Sequence, residues 1–147
     1  VLLMASTHVA HDCLVGDNVI MSNLATLGGH VKIGNYAIIG GGVLVHQFTR
    51  IGEHSLIGGG FRAVQDVPPF IIAANHPLEY KGVNIVGLKR RGFLKKDMVL
   101  IKKAYREFFR SGGNRKTAVE KIESEFSKTK VIQKILDFIK HSNRGII

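Results

Sequence analysis

Residues 5–13 read ASTHVAHDC, which places His8 and His11 three residues apart and Asp12 directly after His11. Two more histidines follow, His30 in GGH and His46 in VHQF. Three readings suit such a set. An imidazole ordinarily titrates near neutrality, so His11 is a candidate general base. A carboxylate on its other ring nitrogen fixes the tautomer and stabilises the imidazolium, and Asp12 is the candidate for that. Alternatively, three of His8, His11, His30 and His46 hold zinc, with water in an open position. The plainest reading is a group of solvated side chains. Spacing along the chain does not separate these readings; the elements that position the residues do.

Those elements repeat. Every sixth residue from Leu3 is apolar, through Val9, Val15, Met21, Leu27, Ile33, Ile39, Val45, Ile51 and Ile57 to Ala63. A helix would show a period near 3.6 and a plain strand a period of 2. A period of six suits a short strand plus a bend, with two inward side chains per hexad filling a narrow core. The small residues after the apolar ones, among them Gly16, Gly28, Gly34 and Gly40, are expected where the chain bends, with glycine relieving the backbone. Stacked coils then pair as parallel strands, each covering the next.

With three hexads per coil, residues eighteen apart stack at about 4.8 Å. His11, Gly29 and Gln47 form one outward column; Asp12 and His30 lie in its neighbour. Gly29 has no side chain to obstruct His11, and its backbone N–H is placed to face a developing oxyanion. A base beside an oxyanion donor suits acyl transfer from a thioester to a hydroxyl. Cys13 falls at an inward packing position, and His54 lies outside the cluster as a structural or solvated residue.

The repeat ends near Val67-Pro68-Pro69, where proline supplies no ladder donor. The expected organisation is a β-helix over 1–69, an extended connection over 70–94 and a helical domain over 95–147. Helices are expected at about 95–110, 117–126 and 130–141, with Gly112-Gly113 stopping the first. The longest apolar run falls far short of the ~20 residues that span a bilayer. One cysteine excludes an internal disulfide and fits a reducing compartment. The net charge of +10 is uneven. Residues 1–80 carry three basic against five acidic residues, a net of −2, and residues 81–147 carry eighteen against six, a net of +12. This asymmetry points to an anionic partner. The chain opens VLLMAS, which reads as the middle of an element, so a piece of a longer protein is expected.

The ordered set HVAHDC, ATLGGHVKIG, AIIGG, VHQF, VQDVPPF and GVNIVGLKRRGF resembles the UDP-N-acetylglucosamine O-acyltransferases that begin lipid A synthesis. The likeness covers nearly the whole chain and is far more specific than the hexad. It implies a mainly β fold, a left-handed parallel β-helix followed by a small C-terminal α-helical domain, in a cytoplasmic homotrimer. It implies transfer of an (R)-3-hydroxyacyl chain from acyl carrier protein to the sugar 3-hydroxyl. No resident cofactor or metal is implied, since the acyl chain arrives on the carrier's phosphopantetheine. His11 would be the base, supported by Asp12, with the Gly29 amide as oxyanion donor. His8, His30 and Gln47 would contact sugar, nucleotide or acyl group, and His46 would shape the acyl groove. Gly59 matches an acyl-length ruler and His76 the groove's far end. Asn84, Arg90 and Arg91 match positions holding uridine diphosphate or phosphopantetheine.

Val86 departs from the family, which often carries an acidic residue there, so nucleotide contacts are expected to differ. The family also has earlier coils with an Asp and a Lys that contact the sugar, so the chain alone is expected to be weakly active or inactive. An acidic carrier accounts for the basic half better than nucleic acid does, because no base-stacking platform or nucleic-acid motif is present. Stable membrane insertion is not expected. Two alternatives remain. One is a trimeric zinc lyase like the γ-class carbonic anhydrases, whose repeat this chain resembles but whose histidine spacing it lacks. The other is a noncatalytic β-helical scaffold with a basic tail that docks an acidic partner.

Overall fold

In the computed structural model, which describes residues 1–110, 112–126 and 128–147, each hexad forms one two-residue strand. These are β1 (Leu2–Leu3), β2 (His8–Val9), β3 (Leu14–Val15), β4 (Ile20–Met21), β5 (Thr26–Leu27), β6 (Lys32–Ile33), β7 (Ile38–Ile39), β8 (Leu44–Val45), β9 (Arg50–Ile51), β10 (Leu56–Ile57) and β11 (Arg62–Ala63). Strands three apart pair in parallel, Leu2 with Ile20 and Thr26 with Leu44, so one coil takes eighteen residues. Three sheets result: β1-β4-β7-β10, β2-β5-β8-β11 and β3-β6-β9. The fold is a parallel β-helix. Its core holds two residues per hexad, such as Val19 and Met21, Ala25 and Leu27, Val31 and Ile33, all buried.

The corners depart from the sequence reading. Left-handed backbone recurs every six residues, at Ser6, Asp12, Asn18, Leu24, His30, Tyr36, Gly42, Phe48, His54 and Gly60. It does not fall at the small residues. Each strained corner from Leu24 onward donates its N–H to the preceding coil, as His30 does to the His11 carbonyl at 3.0 Å and Phe48 to the Gly29 carbonyl at 2.9 Å. These bonds offset the ~1–2 kcal/mol that a non-glycine residue loses there. The small residues serve close approach instead. A Cβ on Gly28 would lie 2.7 Å from the Gln47 nitrogen, and one on Gly34 would lie 2.5 Å from the Glu53 nitrogen.

The coils also run past the expected end. Val67 bridges to Ile51, and β12 (Ile71–Ala74) pairs in parallel with β10, Leu56 facing Ile72. The last coil is therefore sixteen residues long. Pro68 and Pro69 sit at its corner, where the neighbouring Gly52 and Val67 amides supply the ladder donors. β13 (Glu79–Val83) returns antiparallel to β12. The stretch 70–94 thus carries two strands and a short helix, α1 (Ile85–Arg90).

Two compact units divide the chain, residues 1–84 with 142–147, and residues 85–141. In the second, α2 (Lys95–Phe109) packs on α3 (Arg115–Glu125) and α4 (Lys130–Lys140). The core is Met98, Ile101, Tyr105, Phe108, Ile122, Ile132, Ile135 and Leu136, joined by Phe138. Asn114 and Thr129 cap the last two helices by accepting from the Thr117 and Ile132 amides. In the first unit, the tail 142–147 is tied to Asp66, which is 1% exposed. The Asp66 carboxylate accepts from the Arg50 amide at 2.8 Å and the Ser142 hydroxyl at 2.6 Å. The Asp66 backbone pairs with Gly145 and Ile147.

Candidate active site

The corner at Asp12 brings together the residues of the general-base reading. A φ of +60° there turns the carboxylate back over its predecessor, so that His11 Nδ1 and Asp12 Oδ2 lie 3.0 Å apart. An ionised carboxylate only accepts, so Nδ1 is the donor of this pair, and the neutral imidazole in that tautomer presents the lone pair of Nε2. The hydrogen bond from His11, and then the nearby His30, hold the Asp12 carboxyl below its ordinary range, which keeps it ionised.

One coil along, Gly29 lies directly against the His11 ring. A Cβ on Gly29 would sit 2.7 Å from both Cε1 and Nε2 of His11, so any side chain there would displace the ring from this position. Gly29's carbonyl is taken by Phe48. Its N–H has no acceptor among the described residues, as is common at this corner position. The residue carrying this uncommitted N–H therefore packs against the edge of the ring that holds Nε2. The side chains of His11 and Asp12 are 73% and 67% exposed, whereas Gly29 is buried against the ring.

His30 completes the corner. Its Nε2 is 3.7 Å from Asp12 Oδ2, and its ring meets that of His11 edge-on at 5.1 Å. Phe48, eighteen residues further, stacks on His30 at 4.7 Å with planes 8° apart. Phe48 is absent from the sequence-based set, although the eighteen-residue column through His30 passes through it. His46 and Gln47 are exposed beside this column, with His46 Nδ1 3.1 Å from the Gln47 carbonyl. His8 stands outward on β2 opposite Thr26.

Among the described residues, the three donor atoms that gather within 4.8 Å come from His11, Asp12 and His30. A three-histidine zinc set is not assembled there. Cys13 donates to the Gly28 carbonyl at 3.1 Å and packs against the next coil. His54 is buried, stacked between Tyr36 and Phe70.

The remaining candidates lie elsewhere in the chain. Gly59 belongs to another corner, the column of Asn23 and Gly41. His76 meets the Phe61 ring edge-on at 5.0 Å. Asn84 is 4% exposed and donates to the His54 carbonyl at 3.0 Å, at the third corner. In the helical unit, Arg90 is exposed in the last turn of α1, and Arg91 Nη1 donates to the Gly87 carbonyl at 3.1 Å.

Comparison with known proteins gives a consistent set of likenesses. Residues 66–147 match the family described as Udp N-acetylglucosamine O-acyltransferase, domain 2. An acyl-[acyl-carrier-protein]--UDP-N-acetylglucosamine O-acyltransferase from Aliivibrio salmonicida is 48% identical over 146 residues, 99% of this chain and 56% of that protein. The UDP-N-acetylglucosamine acyltransferase structure from Bacteroides fragilis superimposes with a TM-score of 0.93 at 45% identity, over 97% of this chain and 56% of that one. The Francisella novicida enzyme gives a TM-score of 0.93 at 38% identity, over 98% of this chain and 53% of that one. The chain spans about half the length of the relatives it matches.

Proposed function

The chain belongs to the UDP-N-acetylglucosamine O-acyltransferase family, and from that premise we propose that it serves the transfer of an (R)-3-hydroxyacyl group from acyl carrier protein to the 3-hydroxyl of UDP-N-acetylglucosamine, the first step of lipid A synthesis. The observation that carries the proposal is the His11 ring lying on Gly29 with its Nδ1 held by Asp12. His11 Nε2 takes the proton of the sugar hydroxyl as that oxygen attacks the thioester carbonyl. The Gly29 N–H receives the charge that forms on the carbonyl oxygen. Collapse of the tetrahedral intermediate breaks the carbon–sulfur bond, and the leaving thiolate takes the proton back from His11. Asp12 holds the ring and stabilises the imidazolium. A positioned base contributes ~10²–10⁴ in rate, and one oxyanion donor contributes ~10²–10³.

The working assembly in this reading is a homotrimer with sites between subunits. His11, Gly59 and Asn84 lie at three different corners of one β-helix. A threefold arrangement sets unlike corners of neighbouring copies against each other and would cover the open His11 corner. The excess of basic residues over 81–147 suits an acidic carrier protein. No helix among the described residues is long and apolar enough to cross a membrane.

The test is to incubate the protein with a 3-hydroxyacyl carrier protein and UDP-N-acetylglucosamine and to weigh the nucleotide-sugar product. A slow mass gain of one 3-hydroxyacyl group, unaffected by a chelator, is expected from this chain alone. Product that forms only with zinc present would favour metal chemistry, and carrier binding with no product would favour a docking scaffold.

A further inference from the structure

Beside the His11 corner, and sharing His30 with it, lies a groove of about 520 Å³ lined by His30, Lys32, Phe48, Arg50, Asn143 and Arg144. Three of its six residues are cationic. Lys32 and Arg50 are register partners on adjacent coils, so their stems start about 4.8 Å apart. The third cation comes from the other end of the sequence. Arg144 is fixed by its Nε, which donates to the Val64 carbonyl at 2.9 Å. Its flanking residues are tied to buried Asp66 through the Ser142 hydroxyl, the Gly145 carbonyl and the Ile147 amide. The tail is therefore a built wall of the groove. Two carboxylates lie near its lining: Asp12, 3.7 Å from His30 Nε2 at the His11 end, and Asp66, which is buried with its oxygens accepting from Arg50 N and Ser142 Oγ. Among the described residues, Lys32 and Arg144 have no carboxylate partner.

We propose that this groove is a phosphate subsite that holds a phosphate-bearing part of a substrate while it reacts at His11. Converging ammonium and guanidinium groups match the several oxygens of a phosphate. A recess of this size takes one phosphate or diphosphate with a few attached atoms, whereas a nucleic-acid strand would need a continuous basic track. The exposed Phe48 face adds an apolar side for the organic part of the ligand. The link to the reaction rests on the function proposed above. Both substrates of that reaction carry phosphate, the nucleotide sugar as a diphosphate and the carrier's arm as a phosphodiester.

The experiment uses inorganic pyrophosphate as the probe, its binding to the whole chain followed by ³¹P NMR line broadening. Lys32→Glu is expected to weaken binding roughly tenfold or more, the scale of losing one charge-assisted bond and gaining a repulsion. Lys32→Arg and the remote reversal Lys116→Glu are expected to stay within about threefold of the parent. Displacement of pyrophosphate by UDP assigns the groove to the acceptor, displacement by 4′-phosphopantetheine assigns it to the donor, and either supports the subsite. Absence of pyrophosphate binding, equal weakening by Lys32→Glu and Lys116→Glu, or displacement by neither compound would overturn it. His11→Ala should leave pyrophosphate binding intact, so failure of the acyl-transfer reading and failure of the groove give different results.

Discussion

Substituting Gly29 by alanine tests the geometry of the corner with one methyl group. The added Cβ would lie 2.7 Å from Cε1 and Nε2 of His11, whereas ordinary contact begins at 3.4 Å. The ring must therefore retreat by about 0.7 Å or swing away, and the 3.0 Å bond to Asp12 stretches or breaks. The fold should barely register the change. Gly29 is outside the left-handed region, so alanine meets no backbone penalty, and an exposed imidazole moves into water at little cost. The expected stability change is within about 1 kcal/mol. Misplacement of a catalytic group by about 1 Å costs on the order of 10²-fold in rate, so turnover should fall ~10–10²-fold with nearly unchanged melting temperature. The His11 Nδ1 proton, followed by ¹H–¹⁵N NMR, should lose its hydrogen-bonded shift. Turnover and Nδ1 signal both equal to the parent's would refute the placement of His11 over Gly29.

Asp12→Asn should lower turnover on the order of 10²-fold by removing the charge that fixes the imidazole. Because the hydrogen bond from His11 holds the Asp12 carboxyl below its ordinary range, its contribution to stability is full above the ordinary carboxylate range and is lost as pH falls through the lower folded value; denaturant midpoints of parent and variant should draw together as the solution is made acidic through that window. Asp66→Ala removes two acceptors at a buried site and should cost about 2–4 kcal/mol, read as a lower denaturation midpoint and faster proteolysis of the 142–147 tail. Reversing Lys102 and Lys103 to Glu should raise KM for the acyl carrier roughly tenfold in a salt-sensitive manner while leaving KM for the nucleotide sugar unchanged; equal KM values for the carrier would remove this face from docking.

Much of the architecture was legible because a narrow prism forces its inward positions to be apolar. Leu27, Ile33 and Ile39 could not be otherwise, and the eighteen-residue coil then brought His11, Asp12, Gly29 and His30 together on paper. The direction of Asp12 was not legible, because it depends on a corner φ that the residue types conceal; leucine, tyrosine and phenylalanine occupy the same strained position. The glycines were legible in place and misread in purpose, since coil-to-coil distance at Gly28 and Gly34 asks for the same residue that a bend would. Proline was read as a terminator, but at a corner no ladder donor is required of it. The short α1 was missed because six residues with an internal Gly87 carry too little period. The return of Arg144 to the β-helix has no sequence signal, since it rests on a few hydrogen bonds to Asp66 and Val64 between residues about eighty apart.

The proposed acyl transfer requires the Nε2 of residue 11 to move the proton. Turnover of (R)-3-hydroxyacyl carrier protein and UDP-N-acetylglucosamine by His11→Ala, measured beside the affinity of the same variant for UDP-N-acetylglucosamine, tests it most directly. A fall of ~10²–10⁴-fold in turnover with unchanged affinity is the predicted result. Turnover within a few-fold of the parent's would contradict it.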